Sequence, residues 1–127
     1  MRMTLVSMLA VALLAGCICC FSLTRIERAT VEIDGMRMEV LELIDADRPH
    51  EARERLRGMA EAWSRWEQEL AVLVPHDMLH EIAGLIIEGD ANLEAGDLDD
   101  FNRSMAMLGE AIRHLYEEER PQLNNIL

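Results

Sequence analysis

The sequence predicts an all-α protein: an N-terminal transmembrane helix followed by an antiparallel bundle of about four helices. Three observations carry that prediction. The N-terminus holds an uncharged apolar stretch, apolar residues recur at helical spacing through the rest of the chain, and turn signals divide that remainder into four segments.

From Thr4 to Leu23 no residue is charged, and these twenty positions, as a helix, span about 30 Å, the hydrocarbon thickness of a bilayer. Three readings compete for this stretch. It is an uncleaved single-span anchor (residues 1–24, with a helical domain at 25–127), a lipoprotein signal, or an ordinary secretory signal. The lipoprotein reading rests on Leu14-Ala15-Gly16-Cys17, which matches a lipobox with Cys17 as the lipidated residue. Beyond Cys17, however, Ile18 to Leu23 stays apolar where a cleaved chain turns polar. The uncleaved anchor is therefore the preferred reading and the lipid-anchored lipoprotein the alternative; in both, the lipid bilayer is a partner. Arg2 precedes the stretch and Arg25 and Arg28 follow it, so charge leaves the orientation open.

Past Arg25 a first stripe runs Ile26, Ala29, Ile33, Met36, Val40, Leu43, with no proline between it and the apolar stretch. One rod from about Thr4 to Asp45, roughly 60 Å long, is the expectation. Asp47-Arg48-Pro49 breaks the pattern, and Pro49 suits the first turn of a second helix. Its stripe is Ala52, Leu56, Met59, Trp63, Trp66, Leu70 and Leu73, ended by Pro75. The third segment has Leu79, Ile82, Ile86 and Leu93 on its inner face. Glu94-Ala95-Gly96-Asp97 then reads as a C-terminal glycine and an Asp N-cap, with Asp100 at N3. The fourth stripe is Phe101, Met105, Leu108, Ile112 and Leu115, and Pro121 is expected to stop it.

Sliding the chain by 49 residues sets Ala52 on Phe101, Leu56 on Met105, Met59 on Leu108, Trp63 on Ile112 and Trp66 on Leu115. The turns Asp45-Ala46-Asp47 and Glu94-Ala95-Gly96 coincide at the same offset. This suggests two similar helical hairpins stacked together, although any two amphipathic helices can be slid into phase.

Composition narrows the function classes. Twenty-four acidic residues oppose twelve basic ones for a net charge of -12, and every basic residue is Arg. A surface so negative repels phosphate backbones, so nucleic acid is not an expected partner. Cys17, Cys19 and Cys20 all lie in the apolar stretch, leaving the domain without a disulfide framework or a Cys-based zinc site.

No catalytic constellation stands out, and the chain is not expected to be an enzyme. His76 and His80 share a helix face beside Asp77, similar in spacing to the HExxH zinc-peptidase motif. Asp replaces the general-base Glu, and no third ligand is fixed, although His50 and His114 are available. The plainer reading is a polar helix start, with Asp77 near the positive end of the dipole. Asp47…His50 and Asp77…His80 distantly resemble the E-x-x-H pairs of di-iron bundles but lack the bridging Glu residues. The acidic turn at Glu94, Asp97, Asp99 and Asp100 lacks the offsets of a calcium loop and reads as N-capping. No cofactor is expected. Trp63 and Trp66, three apart, are core residues needing partners for their indole N–H groups, or else an exposed site for a partner protein.

The plan of an apolar span followed by a short acidic helical domain, the Trp66…His76 spacing, the His76-Asp77 step and the closing Asn125-Ile126-Leu127 together resemble a family. It is the bacterial family catalogued as domain of unknown function 4363, and the resemblance covers essentially the whole chain. It implies a single N-terminal transmembrane helix, uncleaved, with the domain outside the cytoplasm, and no established activity. The tail Asn124-Asn125-Ile126-Leu127 is expected either to dock on the bundle or to be offered to a partner, and His76, Asn125 and Ile126 are interaction candidates.

Three functions follow as expectations. The first is a membrane-tethered adaptor or accessory subunit at the cell envelope, acting through contacts with another envelope or membrane protein. The second is a small metal-binding protein or metal-dependent enzyme using His76 and His80. The third is a ligand sensor that passes movement into the membrane helix.

Overall fold

The structure, a computed structural model, describes residues 2–126, with side chains described through residue 118. Four helices follow in order: α1 (Arg2–Asp45), α2 (Pro49–Leu70), α3 (His76–Glu94) and α4 (Leu98–Ile126). The apolar stretch and the first amphipathic stripe form one uninterrupted helix of 44 residues, about 66 Å long. Nothing in the sequence between them supplies a proline or a competing cap.

The two halves of α1 live in different surroundings. From Arg2 to Ile18 every residue is exposed, whereas Ile26, Ala29, Thr30, Ile33 and Val40 are buried. The N-terminal half is long and apolar enough to cross a membrane by length and composition. Its hydroxyls are already satisfied within the helix: Ser7 donates to the Met3 carbonyl at 2.7 Å, Ser22 to Ile18 at 2.9 Å and Thr24 to Cys20 at 2.8 Å. That is what a polar side chain needs where no water is at hand.

The C-terminal half of α1 packs on α2 and α4, and α3 packs on the same two helices. Among the described residues neither diagonal pair, α1 with α3 or α2 with α4, is in contact. The order around the ring is therefore α1, α2, α3, α4, an antiparallel bundle with short connections. The core is built from the predicted stripes, with Trp63, Phe101, Leu56, Met59, Leu79, Ile82, Met105, Leu108 and Leu115 fully enclosed. Two polar residues are buried with them, each bonded. The Thr30 hydroxyl donates to the Glu27 carbonyl at 2.9 Å, and the Ser104 hydroxyl accepts from the Asn92 amide at 3.1 Å.

The two turns at the end of the bundle away from the apolar stretch are copies of one another. In the first, the Arg48 N–H donates to the Leu43 carbonyl at 2.9 Å and the Asp47 N–H to Ile44 at 3.0 Å. In the second, the Asp97 N–H donates to Asn92 at 2.9 Å and the Gly96 N–H to Leu93 at 3.1 Å. Both are Schellman closures, which need a left-handed residue just past the helix. Gly96 fills that place at φ 75°, and Asp47 at φ 60°. Every one of these partners maps onto its counterpart at the 49-residue offset that aligns Ala52 with Phe101. The chain is thus two similar hairpins, α1–α2 and α3–α4, related by a pseudo-twofold along the bundle.

Two boundaries differ from expectation. Leu73 continues the apolar stripe of α2 by spacing, yet α2 ends at Leu70 and residues 71–75 form the turn. The Leu73 and Val74 N–H groups both donate to the Leu70 carbonyl, closing that turn at 2.9 Å each. Pro121 does not stop α4, whose backbone runs on to Ile126. A proline forfeits one intrahelical N–H bond and crowds the carbonyl four residues back, but it does not by itself unwind the turns on either side.

Candidate functional site

The pseudo-twofold makes two seams equivalent: α2 against α3, and α4 against α1. One is filled and the other is open. In the α2–α3 seam Trp63 is enclosed, with its indole N–H donating to the Leu79 carbonyl at 3.1 Å. The position 49 residues on from Trp63 is Ile112, and the one 49 residues before Leu79 is Thr30. A smaller side chain thus stands where the other seam has an indole. The α1–α4 seam holds a groove of about 580 Å³, with Thr30, Val31, Asp34 and Arg37 on one wall and Ala106, Gly109, Ile112 and Arg113 on the other. Glu27 and Tyr116 line its end nearest the apolar stretch.

The far end of the groove is fixed by Arg37. Its Nε donates to Asp34 Oδ1 at 2.8 Å and its Nη1 to the Met105 carbonyl at 3.3 Å, tying α1 to α4. The guanidinium lies against α4 because residue 109 is glycine; a Cβ there would sit 2.8 Å from Arg37 Cζ. Charges along the groove are mostly answered on their own helix, Arg37 by Asp34 and Arg113 by Glu110. Glu27 has no cation within ion-pair distance among the described residues. Val31, 67% exposed, presents an unpaired apolar surface one turn away. The groove is thus a mixed slot, with Val31, Ala106 and Ile112 between charged side chains and the unpaired Glu27 at its end beside the apolar stretch.

The candidates named from sequence fall elsewhere. Trp63 is core and offers no surface to a partner. Trp66 is half-buried, and its indole N–H donates to the Glu32 carboxylate on α1 at 2.7 Å. His76 and His80 stack on the first turns of α3, ring centroids 6.1 Å apart, and His80 Nδ1 lies 3.4 Å from Glu67 Oε1. Asp77 occupies the first turn of α3 beside them. Among the described residues no group of three His, Cys, Asp or Glu side chains is placed to share a metal ion. His50 and His114 lie instead beside Glu54 and Glu118 of their own helices. Cys17 is an exposed free thiol on the apolar half of α1. Asn125 and Ile126 end α4, with side chains outside the described residues.

At the acidic turn, the Asp100 N–H donates to Asp97 Oδ1 at 3.1 Å, the N-cap bond its spacing predicts. That bond holds the Asp97 carboxyl below the usual carboxylate range. The neighbouring Asp100 carboxyl is pushed up, because it shares a proton-dependent hydrogen bond with Asp97 and feels its charge.

The groove was not singled out by any motif. Its signal in the sequence is the replacement of Trp63 by Ile112 at the 49-residue offset, which becomes meaningful only once α4 is known to pack on α1 as α2 packs on α3.

No curated protein and no solved structure matches the chain. One family model does, over residues 20–126, from the last turn of the apolar stretch through the whole bundle. By that match the chain belongs to the family described as Domain of unknown function (DUF4363).

Proposed function

We propose that this chain is a non-catalytic adaptor or accessory subunit, anchored in a cell membrane by the apolar half of α1 and presenting its bundle outside the cytoplasm. A partner envelope or membrane protein lays an apolar segment bearing a basic group into the α1–α4 groove. The observation that carries this reading is the open seam itself. It lies beside the anchor, has Val31 exposed at its middle and Glu27 unpaired at its membrane end. A partner already held in the same bilayer reaches that end first.

An uncleaved anchor makes α1 a stiff connection between bilayer and groove, so that occupation of the groove is felt in the membrane helix. A lipid on Cys17 would leave a tether instead, and the intact mass of the mature chain separates the two. The adaptor reading is tested by placing a photocrosslinking amino acid at Val31 in native membranes, with Ile87, an exposed residue of α3, as the control position. One discrete adduct from Val31 and none from Ile87 is expected. Equal labelling from both positions, or none from either, rejects the groove as a docking site.

A further inference from the structure

The two ends of the bundle have opposite turns. At the far end the connections are Ala46-Asp47-Arg48 and Ala95-Gly96-Asp97, polar and charged as surface turns ordinarily are. At the end near the apolar stretch the α2–α3 turn reads Ala71-Val72-Leu73-Val74-Pro75, without a single polar side chain. Val74 is buried and serves the core, but Val72 at the tip is 91% exposed. Val72 thus contributes nothing to the core, and it is the most exposed of the bundle's large apolar residues.

Register shows what lies beside it. Arg25 Nη1 meets Glu69 Oε2 at 2.6 Å, so the last turn of α2 stands level with the first charged residue after the apolar stretch. The chain then continues from Leu70 toward the apolar half of α1, which sets Val72 level with about Leu23, where that half ends. The Leu73 and Val74 N–H groups are turned inward onto the Leu70 carbonyl, so those two donors of the turn need no water. Arg25 itself is screened from both sides. Its guanidinium lies 5.0 Å from the centroid of the Phe21 ring while bridging to Glu69, an arrangement suited to a cation at a lipid boundary.

We propose that the α2–α3 turn, with Val72 at its tip, is seated in the interfacial layer of the bilayer that α1 crosses. The bundle then stands on the membrane at two points and its groove is held at a fixed tilt to the surface. The inference rests on the anchor reading above. The contact is made with neutral lipid, since a chain of net charge -12, with all its acidic residues in the domain, is repelled by anionic headgroups.

The test uses the full chain in phosphatidylcholine nanodiscs, with Cys17, Cys19 and Cys20 replaced by Ser and one environment-sensitive fluorophore attached at a time. Attachment sites are Val72→Cys, Thr24→Cys for the interface, Leu9→Cys for the bilayer interior and Asp47→Cys for water. Lipids carrying a nitroxide at a shallow or a deep position serve as quenchers. The Val72 probe is expected to be quenched by the shallow nitroxide as strongly as the Thr24 probe, and the Asp47 probe not at all. A Val72 probe that behaves like Asp47, while Leu9 is quenched by the deep nitroxide, overturns the seating and leaves the anchor standing. A Leu9 probe that neither nitroxide quenches overturns the anchor and the seating together. Should the serine variant fail to fold, a photoactivatable phosphatidylcholine labels the unmodified chain in the same nanodiscs. Adducts are then expected on the peptide containing Val72, and their absence beside labelled span peptides overturns the seating.

Discussion

The two seams of this bundle begin from the same geometry and end differently. Both join a helix that starts a hairpin to one that ends a hairpin, in the same register, yet α2–α3 closes over Trp63 and α4–α1 leaves about 580 Å³ open beside Ile112. The closed seam gains the contacts of an enclosed indole, which the open one, lined largely by polar side chains, does without. Instead the open seam is propped by polar devices: Arg37 across Gly109, and Thr30 turned onto its own helix. One seam is closed by core packing and the other is left as a surface.

That contrast is breakable. The largest effect is expected at Trp63→Ala, which empties the closed seam and should lower stability by about 3–5 kcal/mol, a large fraction of what a marginally stable domain has. Ile112→Ala, at the paired position, lines a groove already open and should cost only about 2 kcal/mol, the low end for such truncations. Urea denaturation of the two variants in detergent reads both. Equal losses would mean that the seams are equally packed.

The paired turns sharpen the comparison at smaller scale. Gly96 and Asp47 occupy the same left-handed position, and only glycine does so without a Cβ penalty. Gly96→Ala should destabilise by about 1–2 kcal/mol, whereas Asp47→Gly should stabilise, by at most about 1 kcal/mol. Thermal melts of the two, run side by side, should move in opposite directions.

The smallest effect is one of pH. The Asp97 carboxyl is held below its ordinary value in the folded state, so its contribution is present at neutral pH and is lost as pH falls below about 4. Asp100 is raised by the same contact, so it binds its proton more readily folded than unfolded and offsets that loss on acidification. In Asp100→Asn the offset is gone while the backbone bond to Asp97 stays. Its stability should therefore fall more steeply with acid than that of the unsubstituted chain, as followed by melts at a series of pH values.

Much of the fold is legible in the residues. Ile26, Ala29, Ile33 and Val40, then Phe101, Met105, Leu108, Ile112 and Leu115, are buried as their spacing requires. The 49-residue offset reappears in the two Schellman turns, because helix caps depend on local chain conformation and local sequence reveals them. What lay hidden depends on neighbours far away in the chain. Arg37 reads as a solvated charge until Gly109 brings α4 within reach. Leu73 reads as one more helical apolar residue, since an apolar turn imitates a stripe, and the exposure of Val72 follows only from where α2 ends. His76 and His80 drew attention by spacing, but a ligand set also needs a third side chain from another helix, which no periodicity specifies. At Pro121 a local rule was overridden by the persistence of the helix around it.

The most direct test of the open seam joins the two positions that define it. With the photocrosslinker at Val31 in native membranes, Ile112→Trp puts into the groove the side chain that closes the opposite seam. The bundle should stay helical and the Val31 adduct should disappear, while Trp63→Phe, which leaves the groove untouched, should retain it. An adduct of undiminished yield in the Ile112→Trp protein, with its helical content unchanged, would show that the partner does not occupy the groove.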